Sequence, residues 1–256
     1  MTTNPWFPFG IRKDRSRPLL FCFHYAGGSS TIFRHWVALR STVDIVPVEL
    51  PGRGTRMAEP HPQRFDELIE ALLAALAPEV EGREFCLFGH SMGAAIAFDA
   101  ACRLEREYGF RTAKLIVAGR HAPHRPDPSP FSSDMDDEAL VRELQRLGGT
   151  PPDILENEEL LRYLLPMIRS DYRLHESFVY RRQLLMAPIV AHSGTGDRDA
   201  SEEEMRHWSE VTDAEFAIRS FEGNHFFVQR LGDAYLNELL RLAAMPGNGS
   251  REAYYS

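Results

Sequence analysis

Gly89-His90-Ser91-Met92-Gly93 sets a serine between two glycines, after an apolar run (FCLF, 85–88) and before a small-residue stretch (AAIAF, 94–98). A strand, a sharp turn and a helix in that order would expose the hydroxyl at the turn, as a nucleophile elbow requires. The helix start would turn backbone N–H groups and partial positive charge toward a developing anion. The turn leaves no room for side chains beside the serine, which is why glycines flank it. Ser91 is the candidate nucleophile. Adjacent residues at such a turn point in different directions, so His90 reads as a packing residue and not as the base.

A serine hydroxyl attacks well only when a positioned base takes its proton. The chain has ten histidines. With an elbow of this kind the chain order is nucleophile, acid, base, which puts the base late. His225, in SFEGNHFFVQ (220–229), follows the last β-rich run in a Gly-Asn turn. His192 falls inside a predicted strand and His207 on a polar helix. The acid belongs at the exit of the penultimate strand, PIVAHSG (188–194), and that exit reads TGDRDAS (195–201). It offers two carboxylates, Asp197 and Asp199, each with a Gly-x-x-Asp spacing, from Gly194 and Gly196. One of them would hold the imidazole in the right tautomer and stabilise the imidazolium. The oxyanion donors are assigned to the backbone N–H of Met92 and to that of Ala26, in the Gly-containing loop that ends FCFHYAGGSS (21–30).

These groups need a scaffold, and the hydrophobic pattern supplies one. Apolar, β-rich runs recur at 18–25, 43–51, 84–90, 114–120, 188–194 and 215–223. Several are nearly continuous hydrophobics, as strands buried on both faces are. Helical patterns lie between or after them at 65–80, 92–109 and 232–245. The alternation predicts an α/β protein with a mostly parallel central sheet flanked by helices. The stretch 123–183 breaks it: there is no good strand, and 137–149 and 157–182 read as helices joined by GGTPPD. Pro166 is expected to kink or divide the second. The division is therefore a core made of 1–122 and 184–246, a helical lid insertion at 123–183, and a flexible tail at 247–256.

Hydrophobic residues make up 43% of the 256 and charged residues 26%, enough for a sizeable core. The net charge of −8 argues against nucleic acid as a partner. No apolar run approaches the roughly 18 residues that span a bilayer, and the N-terminus lacks a secretory pattern. Three cysteines without a Cys-x-x-Cys read as buried free thiols of a cytoplasmic protein. No ligand cluster or phosphate-binding loop suggests a metal or cofactor. The basic segment GIRKDRSR (10–17) reads first as solvated surface and second as a docking strip for an acidic partner.

The chain closely resembles the stand-alone type II thioesterases that accompany polyketide synthases and nonribosomal peptide synthetases. The matching stretches are FCFHYAGGSSTIFRHW (21–36), VELPGRGTRMAEP (48–60), FGHSMGAAIAF (88–98), LGGTPPDIL (147–155), LLPMIRSDYRLHESF (164–178), PIVAHSGTGD (188–197) and FEGNHFFV (221–228). They run in family order over nearly the whole chain, and ELPGRGTR and GGTPPDIL are not general hydrolase features. The resemblance implies an α/β-hydrolase core with a helical lid. It implies hydrolysis of acyl or aminoacyl thioesters on the phosphopantetheine arm of acyl or peptidyl carrier proteins, by a monomer without a cofactor of its own. An esterase or acyltransferase on acyl-CoA or small esters is the alternative. The family's nucleophile falls on Ser91, its base on His225, and its oxyanion donors on Ala26 and Met92. The family commonly has Gly-x-x-Asp-Pro at the acid, but Arg198 follows Asp197 and Ala200 follows Asp199. Gap-free flanks, PIVAHSG before and HWSE after, favour Asp197, with Asp199 the alternative.

Overall fold

In a computed structural model of the chain, residues 4–39, 41–128 and 132–245 are described. The chain order is β1 (Leu19–Phe23), α1 (Arg34–Ala38), β2 (Asp44–Pro47), α2 (Phe65–Val80), β3 (Phe85–His90), α3 (Met92–Arg103) and β4 (Lys114–Ala118). Three helices follow before the next strand: α4 (Asp137–Leu147), α5 (Pro152–Leu155) and α6 (Glu158–Glu176). Then come β5 (Ile189–Gly194), α7 (Glu202–Arg206), β6 (Phe216–Phe221), α8 (Phe227–Leu231) and α9 (Asp233–Ala244). The expected tail at 247–256 lies outside the described residues.

The six strands form one sheet in the order β2-β1-β3-β4-β5-β6, and every pairing is parallel. Parallel strands need covered faces, and side-chain alternation divides them between two cores. Leu19, Phe21 and Phe23 of β1 pack with Leu68 and Leu72 of α2 and Ile96 of α3. Leu20 and Cys22 point the other way, to Phe33, Trp36 of α1 and Tyr235 and Leu239 of α9. All three cysteines are free and buried. No helix among the described residues is long and apolar enough to cross a membrane.

Several expected boundaries moved. Helix α3 changes to a π-helical turn at Leu104–Tyr108 and ends on Gly109, whose φ is +72°. Residues 152–155 of GGTPPDIL form a short helix rather than a plain connection. Pro166 does not divide α6, which runs unbroken from Glu158 to Glu176. The carbonyl that loses its donor to the proline is that of Arg162, and both residues lie on the exposed side. Water can satisfy that carbonyl while the opposite face holds the helix in place. The helix also stops before the expected 182. Ser177 ends it, its hydroxyl donating to the Leu174 carbonyl and accepting from the Phe65 N–H. The basic segment is not simply solvated: Arg12 and Arg17 close on Asp44, which also binds Arg83.

The buried face of α6 carries Leu165, Ile168, Asp171 and Leu174, spaced by threes. The aspartate in that apolar stripe meets Arg53 of ELPGRGTR in a bidentate pair, at 2.7 and 2.5 Å. Both side chains are only 1% exposed. Asp171 Oδ2 also accepts the Gly27 N–H at 2.7 Å, and Arg53 donates to the Gly28 carbonyl at 3.2 Å. Nearby, Glu49 accepts both the N–H and the hydroxyl of Ser30. A buried ionic cluster thus joins the loop after β1, the loop after β2 and helix α6.

Breaking a buried pair on one side leaves an uncompensated charge. We expect Asp171→Ala to cost about 3–5 kcal/mol in urea unfolding, and the double replacement Arg53→Met/Asp171→Leu to regain most of it. A loss below about 1 kcal/mol for Asp171→Ala would show that the guanidinium is not confined by this pair.

Candidate active site

The site lies at the carboxyl ends of the parallel strands, where open α/β sheets place their ligands. Its centre is the turn from β3 into α3. Ser91 has φ 56° and ψ −119°, outside the regions comfortable for a residue with a side chain. Such a conformation costs about 1–3 kcal/mol and persists only when the surroundings over-determine it. Here they do. The Ser91 N–H donates to the Ala118 carbonyl of β4 at 2.8 Å, and its carbonyl accepts from the Ala94 N–H at 2.9 Å. A Cβ on Gly89 would lie 2.1 Å from the Gly93 carbonyl oxygen, and one on Gly93 would lie 2.3 Å from that of Phe23. Both flanking glycines are therefore required by close backbone packing.

His225 sits between β6 and α8. Its Nδ1 donates to Asp197 Oδ2 at 2.8 Å, which leaves Nε2 as the other nitrogen. The second oxygen of Asp197 accepts the backbone N–H of Asp199 at 3.1 Å and of Ala200 at 3.2 Å. Burial works to raise the Asp197 pKa, but the hydrogen bonds from His225 and these two amides outweigh it and hold the carboxyl below its usual range. The aspartate is thus an ionised acceptor beside the imidazole.

His90 supports this arrangement from beneath. Its Nε2 donates to the His225 carbonyl at 2.8 Å. Burial, with His225 alongside, lowers its pKa to about 3, so the ring stays neutral and structural. Gly119, with φ +60°, leaves space for both rings: a Cβ there would lie 3.2 Å from His90 Nε2 and 3.4 Å from His225 Cε1. His192 is fully buried and bonds the Tyr235 hydroxyl, and His207 pairs with Glu210.

Five of the six residues singled out from sequence, Ala26, Ser91, Met92, Asp199 and His225, line one cleft of about 650 Å³. Asp197 stands behind His225 and does not line it. Asp199 does, but its carboxylate is engaged by Arg146 of α4, so only its backbone N–H serves Asp197. A second cavity of about 670 Å³ opens from the same Ser91, His225 and Ala26 toward the helices between β4 and β5.

Those helices meet the loops of the site directly. Gly148 caps α4 with φ +71°, and Asn224, next to His225, donates to the Leu147 carbonyl at 3.2 Å. A Cβ on Gly149 would fall 2.1 Å from the Phe226 ring, and one on Gly27 would fall 2.8 Å from Ile168 of α6. The two glycines of GGTPPD therefore fit the cap and the His225 loop. Of the bulky residues in LLPMIRSDYRLHESF, Tyr172 lines both cavities. Leu165 packs among the inserted helices, and Phe178 packs against Phe65 of the main core, ring centroids 4.8 Å apart and tilted by 58°.

Sequence reasoning missed Asp171, Arg53, Arg120 and His175. A carboxylate on the apolar stripe of α6 was a usable signal for the first, since a buried charge demands a partner. Arg120 and His175 carry no local mark. They meet only because α6 packs over the end of β4, where the Arg120 Nη1 donates to the His175 ring at 2.6 Å.

The comparisons with known proteins point to a family. The family model described as the thioesterase domain matches residues 18–242. Thioesterase PikA5 of Streptomyces venezuelae is 37% identical, over 82% of this chain and 75% of its own. A Brevibacillus parabrevis protein named linear gramicidin dehydrogenase LgrE is 39% identical, over 82% of this chain and 81% of its own. Among solved structures, the type II thioesterase BorB from the borrelidin biosynthetic cluster superposes with a TM-score of 0.81 at 37% identity, covering 95% of this chain and 99% of that one. The chain belongs to the thioesterase domain family: it is a thioester hydrolase on an α/β-hydrolase fold, similar to type II thioesterases of polyketide and nonribosomal peptide pathways.

Proposed function

We propose that the enzyme removes acyl or aminoacyl groups from the phosphopantetheine arm of carrier proteins, clearing stalled or wrongly loaded positions of a polyketide or nonribosomal peptide assembly line. The observation that carries this reading is an elbow serine, held at positive φ, in one cleft with an imidazole whose Nδ1 is fixed by a buried carboxylate.

In this reading Ser91 Oγ attacks the thioester carbon while His225 takes its proton. The N–H groups of Ala26 and Met92 stabilise the oxyanion. The C–S bond breaks, and the thiol leaves with the proton from His225. Water then attacks the acyl-Ser91 ester, with His225 again as base, and releases the free acid. Asp197 keeps the imidazole oriented and stabilises its cationic form. Hydrolysis by this route needs only water as co-substrate. The insertion, 123–183, acts as a lid whose helices wall the acyl chamber. The dehydrogenase name of one relative stays with that protein, since the groups gathered here suit acyl transfer.

Two measurements check the proposal. Turnover of an acyl-carrier protein is expected to exceed that of the same acyl group on CoA in kcat/KM; a clear preference for CoA or for simple esters contradicts the editing role. Asp197→Asn is expected to lower kcat by about 10⁴-fold through the wrong imidazole tautomer. Asp199→Asn is expected to lower it less than about tenfold, because its carboxylate serves Arg146 and not the imidazole. The reverse order would move the acid to Asp199.

A further inference from the structure

A thioester has two limbs at its reacting carbon, and the site has two cavities that share Ala26, Ser91, Leu147, Tyr172 and His225. Beyond that junction the two expose similar shares of polar surface, and what differs is the side chains: aliphatic in one, charged in the other. One branch is walled by Leu144, Ile154, Leu164, Ile168 and Phe226. The other is walled by Arg120, His121, Asp127, His175 and Glu176.

Arg120 stands out in the polar branch. It follows β4 by two residues, beside the carbonyl of Ala118 that fixes Ser91. Its own carbonyl is pinned by Trp208 Nε1 at 2.7 Å, so its position is set by the core. The side chain is 7% exposed, and its Nε has no hydrogen-bond partner. Its Nη1 donates to His175, whose pKa burial and the Arg120 charge lower to about 4. The guanidinium thus rests against a neutral ring. Glu176 offers no compensation, because its two oxygens are taken by the N–H and hydroxyl of Ser133, and the carboxylate whose charge favours that of Arg120 is the half-exposed Asp127, 3.6 Å from His175 Nε2. With Nε unbonded, the buried guanidinium still has a donor for an incoming oxygen acceptor.

The two limbs of the substrate differ in hydrogen-bonding groups, as the two branches differ in charged side chains. The pantetheine chain carries two amides, which are costly to bury without partners. An alkyl acyl chain has nothing to bond and gains by burying area. Resting on the carrier-protein reading above, we propose that the substrate lies across the junction with its pantetheine limb in the polar branch, where Arg120 donates to an amide carbonyl, and its acyl limb in the apolar branch. Arg120 is then a determinant of thiol-limb recognition, and the apolar wall sets acyl length.

The test compares hexanoyl-pantetheine with the hexanoyl thioester of ethanethiol, which has the same acyl group and no amide. The readout is the ratio of their kcat/KM values for the wild type, Arg120→Leu, Arg120→Gln and Leu164→Trp, with folding checked by circular dichroism. Arg120→Leu is expected to reduce the preference for pantetheine about tenfold or more, and Arg120→Gln, which keeps a donor, to reduce it less. Leu164→Trp is expected to keep the ratio and to shift preference from hexanoyl to acetyl. An unchanged ratio in both Arg120 variants, or a ratio that moves with Leu164 instead, overturns the assignment. A wild type that clears hexanoyl-CoA faster than hexanoyl-carrier protein, with the Arg120 effect intact, overturns the carrier-protein reading alone, so the two failures are distinct.

Discussion

One backbone turn governs the site. Ser91 is held at φ 56° because β3 runs parallel between β1 and β4, and the helix that follows it packs back onto the sheet. That packing brings Gly93 against the Phe23 carbonyl of β1 and Gly89 against Gly93 itself. The contacts leave no space for a Cβ at either position. The same closeness puts the end of β1, and so the Ala26 loop, beside the start of α3, and it lets β4 supply the carbonyl that binds the Ser91 N–H. Relaxing the turn would displace the hydroxyl and both backbone donors together. The strain is small beside the apolar burial that enforces it.

The inserted helices are joined to the core at each loop the chemistry uses, with unequal strength. Helix α6 holds the loop after β1 through the fully buried Asp171, whose carboxylate binds Arg53 and the Gly27 N–H. Helix α4 holds the acid loop through Arg146 and Asp199, a partly exposed pair, and the base loop through one bond from Asn224. Buried pairs are costly to break from one side, whereas exposed ones contribute little. The α6 tether is thus the firm one, and the α4 tethers are the weaker. This difference gives Asp199 a structural place. It links the turn to the insertion, while its backbone N–H helps keep Asp197 ionised.

Much of this was legible in the sequence, for identifiable reasons. β1 to β5 are buried along their whole length and leave largely apolar runs, β6 is a half-exposed edge strand with alternating apolar residues, and in all six only the ends moved. The elbow was visible because glycines are forced at 89 and 93. His225 and the TGDRDAS turn followed from chain order; both Gly-x-x-Asp spacings are equally good, the flanks favoured Asp197, and the structure puts Asp197 Oδ2 on His225 Nδ1. Pro166 misled because a helix tolerates a missing N–H when the orphaned carbonyl faces water. Ser177 ended α6 early through a bond with Phe65, 112 residues away, which no local pattern carries. Asp171 and Arg53 are 118 residues apart and meet only after folding. Their sole trace in the sequence is a charge on an apolar stripe.

The central claim is that Ser91 carries the acyl group between the two halves of the reaction. Intact-protein mass spectrometry on the enzyme mixed with an acyl-carrier protein and quenched within milliseconds measures this directly. A mass increase equal to the acyl group, mapping to the peptide that contains Ser91 and absent in Ser91→Ala, is the expected result. An adduct on another residue, or hydrolysis that continues undiminished in Ser91→Ala, would contradict it.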